Sequence, residues 1–230
     1  MGMKKSNKSK IEFKPPKWQI CTEGVTEANY LREYIKAKGL TEHIIINCSK
    51  NKAIARGCGK QHEALLNKMQ ECGRERNPER TFLVHDYDNA VDQPNEKESF
   101  NNTFKRVEEL DYYIIYSNPC FEYWLMLHKS YSDSDLHRDD YQNKVKEICN
   151  QKLKCLGKPA IHDDGYKSDP NLFEYFGGLE GSKVARHNAK RRFDKAEGPF
   201  ATAKHAKNTP CTNFFELLDA IDEYYNKYNT

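Results

Sequence analysis

Four short apolar runs lie in the first 130 or so residues of the chain, and a helical pattern fits between successive runs. They are Trp18–Thr22, His43–Cys48, Phe82–His85 and Tyr112–Tyr116. Runs this short, bounded by Gly, Asn, Asp or Pro, read as strands. After the first, Thr26 reads as a helix N-cap, and Tyr30, Leu31, Tyr34 and Ile35 recur at helical spacing until Gly39. Further helical patterns cover 61–72, 101–110 and a very apolar stretch beginning at Tyr123. Strand and helix in alternation make βαβ units, so the expected fold is α/β: a mainly parallel, doubly wound sheet flanked by helices.

In such sheets ligands gather beyond the carboxyl ends of the strands. Glu23 follows the first strand, Asp86 and Asp88 close the third, and Glu122 lies a short turn past the fourth. Any one of these acids reads equally well as part of a solvated turn, where Asp is common. Four on one edge are a candidate site. Hard cations such as Mg²⁺ or Mn²⁺ take one or two carboxylates together with substrate phosphates.

Composition narrows the rest. At 230 residues and formal charge +3, the chain reads as one domain or one domain with an appended lobe. The expected division is a disordered basic lead over 1–14, a core over 15–130, and a helical, basic part over 131–230 packed on that core. No apolar run approaches the ~18 residues of a membrane span, and the basic N-terminus has no apolar segment behind it, so a secretory signal is not expected. Eight scattered cysteines without a C-x-x-C argue against structural zinc and a disulfide scaffold, and for a reducing cytoplasm. The Gly57-Cys-Gly59-Lys60 piece lacks P-loop spacing.

Charge is concentrated late in the chain. Between Lys183 and Lys207 eight Lys or Arg face only Asp194 and Glu197. Ala185, Ala189 and Phe193 would dock a helix there, leaving Lys183, Arg186 and Lys190 on another face with Arg191 beside them. Such a stripe can bind nucleic-acid phosphates, although a charged helix face is often merely solvated. Three other polar residues read as structural: His85 as a buried hydrogen-bonding residue, Asn118 as a helix cap, and His128 as support for Glu122.

Two blocks of residues resemble known families. The pattern Glu23-Gly24-x-x-Glu27-x-x-Tyr30, followed by Asp86-x-Asp88 at a strand end, is similar to the Toprim pattern of topoisomerases, primases and OLD-type nucleases. The block Ser117-Asn-Pro-Cys-Phe-Glu122-x-Trp124-Leu125-x-Leu127-His128 resembles the RloB family, a Toprim-like group associated with restriction and anti-phage loci. Pro210-Cys-Thr212 looks like that family's Pro-Ser-Thr signature, with Cys211 where Ser is usual. The likeness runs from residue 18 to about 220.

The resemblance implies a Toprim-like core performing phosphoryl transfer with Mg²⁺ or Mn²⁺. In that reading Glu23 is the general acid/base or a metal ligand, Asp86 and Asp88 are metal ligands, and Glu122 completes a second metal's shell. Lys167, with Lys183 or Arg186, would stabilise developing charge. The expected function is a cytoplasmic, metal-dependent nuclease cutting RNA or DNA in bacterial anti-phage defence, with a protein partner from the same locus and no membrane. The rivals are a non-catalytic module that binds nucleic acid or a partner, and nucleotidyl transfer as in primases.

Overall fold

The computed structural model describes residues 17–48, 79–86, 109–195 and 209–229, with single positions at 67, 102 and 105–107. The elements are β1 (Trp18–Thr22), α1 (Val25–Ala37), β2 (Ile44–Cys48), β3 (Arg80–Asp86), β4 (Tyr113–Asn118), α2 (Phe121–Leu127), α3 (Arg138–Cys155), a 3₁₀ turn (Gly165–Ser168), α4 (Leu172–Tyr175), α5 (Gly178–Phe193), β5 (Cys211–Thr212) and α6 (Phe214–Asn229). The expected lead over 1–14, the basic loop 49–59 and most of the helix 61–72 lie outside the described residues. None of the described helices is long and apolar enough to cross a membrane.

The strands form one sheet in the order β2-β1-β3-β4-β5. β1 pairs in parallel with both β2 and β3, and β3 in parallel with β4. Only β5 runs antiparallel, through Ser117↔Thr212 and Asn118↔Cys211. The C-terminal part thus adds a strand to the sheet as well as a covering helix.

The winding direction decides where a ligand can sit. From β1 the chain moves outward to β2, then returns to place β3 on the other side of β1. The strand order thus reverses at β1 and β3, the place where doubly wound sheets hold ligands beyond the strands' carboxyl ends. Glu23 and Asp86 stand there.

Period-two alternation assigns the faces. Trp18, Ile20, Phe82, Val84 and Ile115 point to a large core shared with α1, α2, α5 and α6, while Cys21, Leu83 and Ile114 point to the other face, against Val107 and Leu110. Both faces are covered, as a doubly wound sheet requires.

Tyr30 is the centre of the larger core. Its ring meets Phe121, Trp124, Phe173 and Phe214 edge-on at 5.1–6.2 Å, and its hydroxyl lies 3.1 Å from His128 Nε2. His128 Nδ1 is 2.9 Å from the Phe176 carbonyl, which can only accept, so Nδ1 carries the proton and Nε2 accepts from Tyr30. Burial drives the His128 pKa down to about 3, which keeps the ring neutral. His128 is therefore structural, acting through Tyr30 and Phe176.

Gly181 makes that contact possible. A Cβ there would stand 1.9 Å from the Phe176 oxygen and 2.9 Å from His128 Nδ1. Gly181→Ala must displace a backbone carbonyl together with its hydrogen bond, and should lower stability by about 2–3 kcal/mol, the cost of overpacking a dense core. Urea unfolding of wild type and variant measures this directly.

Several local expectations are corrected. Thr26 is not a cap: α1 opens at Val25, with Gly24 at the cap position and no side-chain cap. Nor does Asn118 cap α2. It ends β4, its Oδ1 accepts from the Thr209 hydroxyl at 2.7 Å, and Cys120 occupies the cap position. β4 runs two residues beyond Tyr116, and α2 opens at Phe121 rather than Tyr123, so Glu122 lies in the first helical turn.

Candidate active site

The β1–α1 turn is pinned from two directions. The Thr22 hydroxyl donates to the Gly24 carbonyl at 3.0 Å, and the Cys48 thiol from the end of β2 donates to the same oxygen at 3.3 Å. Gly24 has an extended backbone that any residue could adopt (φ −107°, ψ 163°). A Cβ there would lie 2.4 Å from Glu27 Oε2, so any larger residue would turn that carboxylate aside. The Glu27 carboxylate packs back over the glycine and is thereby held at the sheet edge.

Glu23, Gly24, Thr26 and Glu27, with Asp86 from β3 and Phe121 and Glu122 from α2, form one side of a cavity of about 340 Å³. Arg138, Asp164, Lys167 and Ser168 complete it. Glu23 Oε2 accepts the Asp86 N–H at 3.3 Å, tying the ends of β1 and β3 together. Glu122 Oε1 accepts from the buried Tyr166 hydroxyl at 2.6 Å. The 3₁₀ turn that carries Tyr166 and Lys167 is anchored on α1, because Asn29 Nδ2 donates to the Lys167 carbonyl at 3.1 Å. Lys167 Nζ reaches Asp164 at 3.1 Å.

Electrostatically the pocket is poised for a cation. Asp86 is 8 % exposed and Glu27 4 %. Burial pushes the Glu27 carboxyl up to about 8; the charges of Glu23 and Glu122 push the same way, while its own backbone N–H and Arg138 oppose them. Asp86 is held well above the usual carboxylate range by burial and then by Glu27, with Glu122 and Glu23 adding to it and Arg138 opposing. Even with Arg138 beside them, burial and the neighbouring acids disfavour the charged forms of Glu27 and Asp86, a penalty that a bound cation would relieve.

The residues suit a hard divalent ion. The donors are all carboxylate oxygens, and Glu27 Oε2 is enclosed without a hydrogen-bond partner. Among the described residues no three His, Cys, Asp or Glu side chains converge into a ready-made shell, and Asp88 lies outside those residues. An ion here would be held by one or two carboxylates and would need water or phosphate for the rest of its shell.

Comparison with known proteins adds one finding. Residues 19–221 match the model of the RloB-like protein family. The chain belongs to that family. No curated protein and no solved structure matches it.

Of the residues expected at the site of this RloB-like chain, the structure brings Glu23, Asp86, Glu122 and Lys167 into one pocket. It adds three ionisable residues that the sequence did not place there, Glu27, Arg138 and Asp164. A signal for Glu27 existed: it stands three and four residues before Tyr30 and Leu31, on the stripe that turns inward. Arg138 gave none, lying within the acidic, turn-rich stretch 132–140 and far along the chain from Asp86.

The basic residues of α5 are elsewhere. Lys183, Arg186, Lys190 and Arg191 do not line the pocket. Lys183 pairs with Glu180 at 2.6 Å, and the Arg191 guanidinium lies 4.2 Å from the centre of the Tyr131 ring. Arg186 must be reassigned. It bonds Asp222 at 2.8 Å and Asp219 at 3.2 Å, and also the Tyr34 hydroxyl and the Leu218 carbonyl. A guanidinium engaged by four groups joins α1, α5 and α6 and is not available to phosphates.

Proposed function

We propose that this RloB-like protein is a divalent-metal-dependent phosphodiesterase of Toprim-like fold, a nuclease cutting RNA or DNA. One observation carries the reading: acids from β1, α1, β3 and α2 meet two cations, Arg138 and Lys167, in one cavity at the switch point of a parallel sheet. Phosphodiester hydrolysis forms a P–O bond to water, breaks the P–O bond to a sugar oxygen, and moves one proton from the water to the leaving oxygen. The pocket contains groups for each need.

Asp86 and Glu27 are the first holders of Mg²⁺ or Mn²⁺, with Glu122 at the side and Asp88 as the further acid of the Asp-x-Asp pair. When bound, such an ion neutralises the phosphate and activates water. Glu23, at the rim and fixed by the Asp86 N–H, is the carboxylate placed to take the water's proton. Tyr166 fixes the rotamer of Glu122, and Asn29 fixes the turn that presents Lys167. Outside the pocket, Lys183, Lys190 and Arg191 can track a nucleic-acid backbone. The family resemblance further suggests work in anti-phage defence, inside the cell and with a protein partner of the same locus.

The experiment incubates the protein with plasmid, single-stranded DNA, total tRNA and messenger-like RNA, with Mg²⁺, Mn²⁺ or EDTA. Cleavage of one class that disappears in EDTA is the expected result. Binding of nucleic acid without cleavage of any class would favour the non-catalytic module instead.

A further inference from the structure

The cations of α5 fall into two groups. Those of its first half are neutralised: Lys183 pairs with Glu180, and Arg186 with Asp219 and Asp222. At its C-terminal end the partner is an aromatic ring. The Arg191 guanidinium lies 4.2 Å from the centre of the Tyr131 ring. Lys195 Nζ lies 5.1 Å from the same centre and donates to the Tyr131 hydroxyl at 3.3 Å. Both basic residues are exposed, and among the described residues neither has a carboxylate within ion-pair distance. Asp133 accepts from the Tyr131 hydroxyl at 3.2 Å and so holds the ring, not the cations. The helix dipole explains basic residues in a last turn, but not their convergence on one ring. A ring places a cation through its quadrupole and leaves the full charge outstanding.

Two tethers put this cluster on the pocket's edge of the sheet. The Tyr123 hydroxyl donates to the Ser132 carbonyl at 2.9 Å, which ties the segment of Tyr131 to the first turn of α2. Arg192 Nη2 donates to the Thr209 carbonyl at 3.5 Å, and the Thr209 hydroxyl donates to Asn118 Oδ1 at 2.7 Å. The end of α5 therefore stands at the carboxyl end of β4. Asn118 and Tyr123 bracket the pocket residues Phe121 and Glu122 in the chain. We propose that Tyr131, Arg191 and Lys195 form a phosphate-binding ledge that holds the backbone of a nucleic-acid strand beside the candidate active site. The substrate is then a polynucleotide, not a single nucleotide or a small phosphate ester. The inference rests on the phosphodiesterase reading above for the course of that strand into the pocket. Side chains already placed by the ring meet phosphates at a reduced ordering cost. Such contacts are blind to base sequence and sensitive to salt.

The test is fluorescence anisotropy of labelled single-stranded DNA and RNA oligonucleotides, in EDTA so that cleavage does not intervene, over a range of salt. Arg191→Ala/Lys195→Ala should weaken binding roughly tenfold or more at about 0.1 M salt and reduce the slope of log Kd against log salt by about 1.4, at roughly 0.7 for each lost contact. Tyr131→Leu keeps both charges and removes the ring that places them, so binding should weaken several-fold. Lys152→Ala/Lys154→Ala removes the same charge from the last turn of α3, the end away from the pocket, and should keep the wild-type slope. Wild-type affinity and slope in Arg191→Ala/Lys195→Ala, or an equal loss in Lys152→Ala/Lys154→Ala, overturns the ledge. So does a wild type that binds neither strand, and undiminished binding in Tyr131→Leu removes the ring from it. Failure of the underlying reading looks different: a wild type that binds a strand through these residues in EDTA but cuts none with Mn²⁺ overturns phosphodiester cleavage, and with it the strand's standing as substrate.

Discussion

Asp86→Ala and Glu23→Ala should each abolish the proposed metal-dependent cleavage in an otherwise folded protein. The expected loss is roughly 10³-fold or more, the several kcal/mol of charge stabilisation a bound ion supplies at about 1.4 kcal/mol per decade. Folding should survive because both residues stand at strand ends, outside the aromatic core built around Tyr30. Asp86→Ala should even gain stability in EDTA, since it removes a carboxyl that burial and its neighbours already disfavour in ionised form. Gel assays on the cleaved substrate class and melting curves of the same preparations decide both points. Wild-type cleavage in either variant would remove that residue from the site.

Glu27→Gln should change the pH dependence of stability, and the sign follows from linkage. The Glu27 carboxyl titrates near 4.5 in the unfolded chain and is pushed up to about 8 in the folded protein. Between those values the native state holds a proton that the unfolded state has lost, so stability falls as pH rises. Below about 4.5 the penalty is absent, and above about 8 it is complete. Its size is on the order of a few kcal/mol at about 1.4 kcal/mol per pH unit. In EDTA, wild type and Glu27→Gln should therefore melt close together at pH 5, with the variant several degrees higher at pH 8. Adding Mn²⁺ at pH 8 should raise the wild-type Tm more than the variant's, because the ion relieves repulsion that Gln has already removed. Parallel Tm–pH curves would show that Glu27 is not the strained acid of the pocket.

Much of the fold could be read from local pattern because it is local. The strands around Ile20, Ile46, Leu83 and Ile115 and the helix through Tyr30 and Tyr34 follow from period and punctuation alone. β5 did not, since two residues, Cys211 and Thr212, have no period, and their pairing with Ser117 and Asn118 depends on a chain return of nearly a hundred residues. At the site, acids that directly follow apolar runs were legible because strand ends in a parallel sheet converge. Glu27 stands in the first turn of α1 on the stripe of Tyr30 and Leu31, and its packing over Gly24 is what brings its carboxylate to the sheet edge. Arg186 was misjudged for the complementary reason: a charged helix stripe says nothing about Asp219 and Asp222 waiting on α6. Arg138 enters the pocket through α3 packing on α2, a tertiary fact with no trace in local sequence.

In the proposed function the carboxylate pocket is a divalent-cation site serving phosphodiester cleavage. Calorimetric titration of Mn²⁺ into wild type and into a Glu27→Gln/Asp86→Asn double variant at pH 7.5 tests it most directly. The prediction is saturable binding to the wild type that is lost in the double variant, with both proteins folded. Absence of binding to the wild type, or equal binding to both, would contradict it.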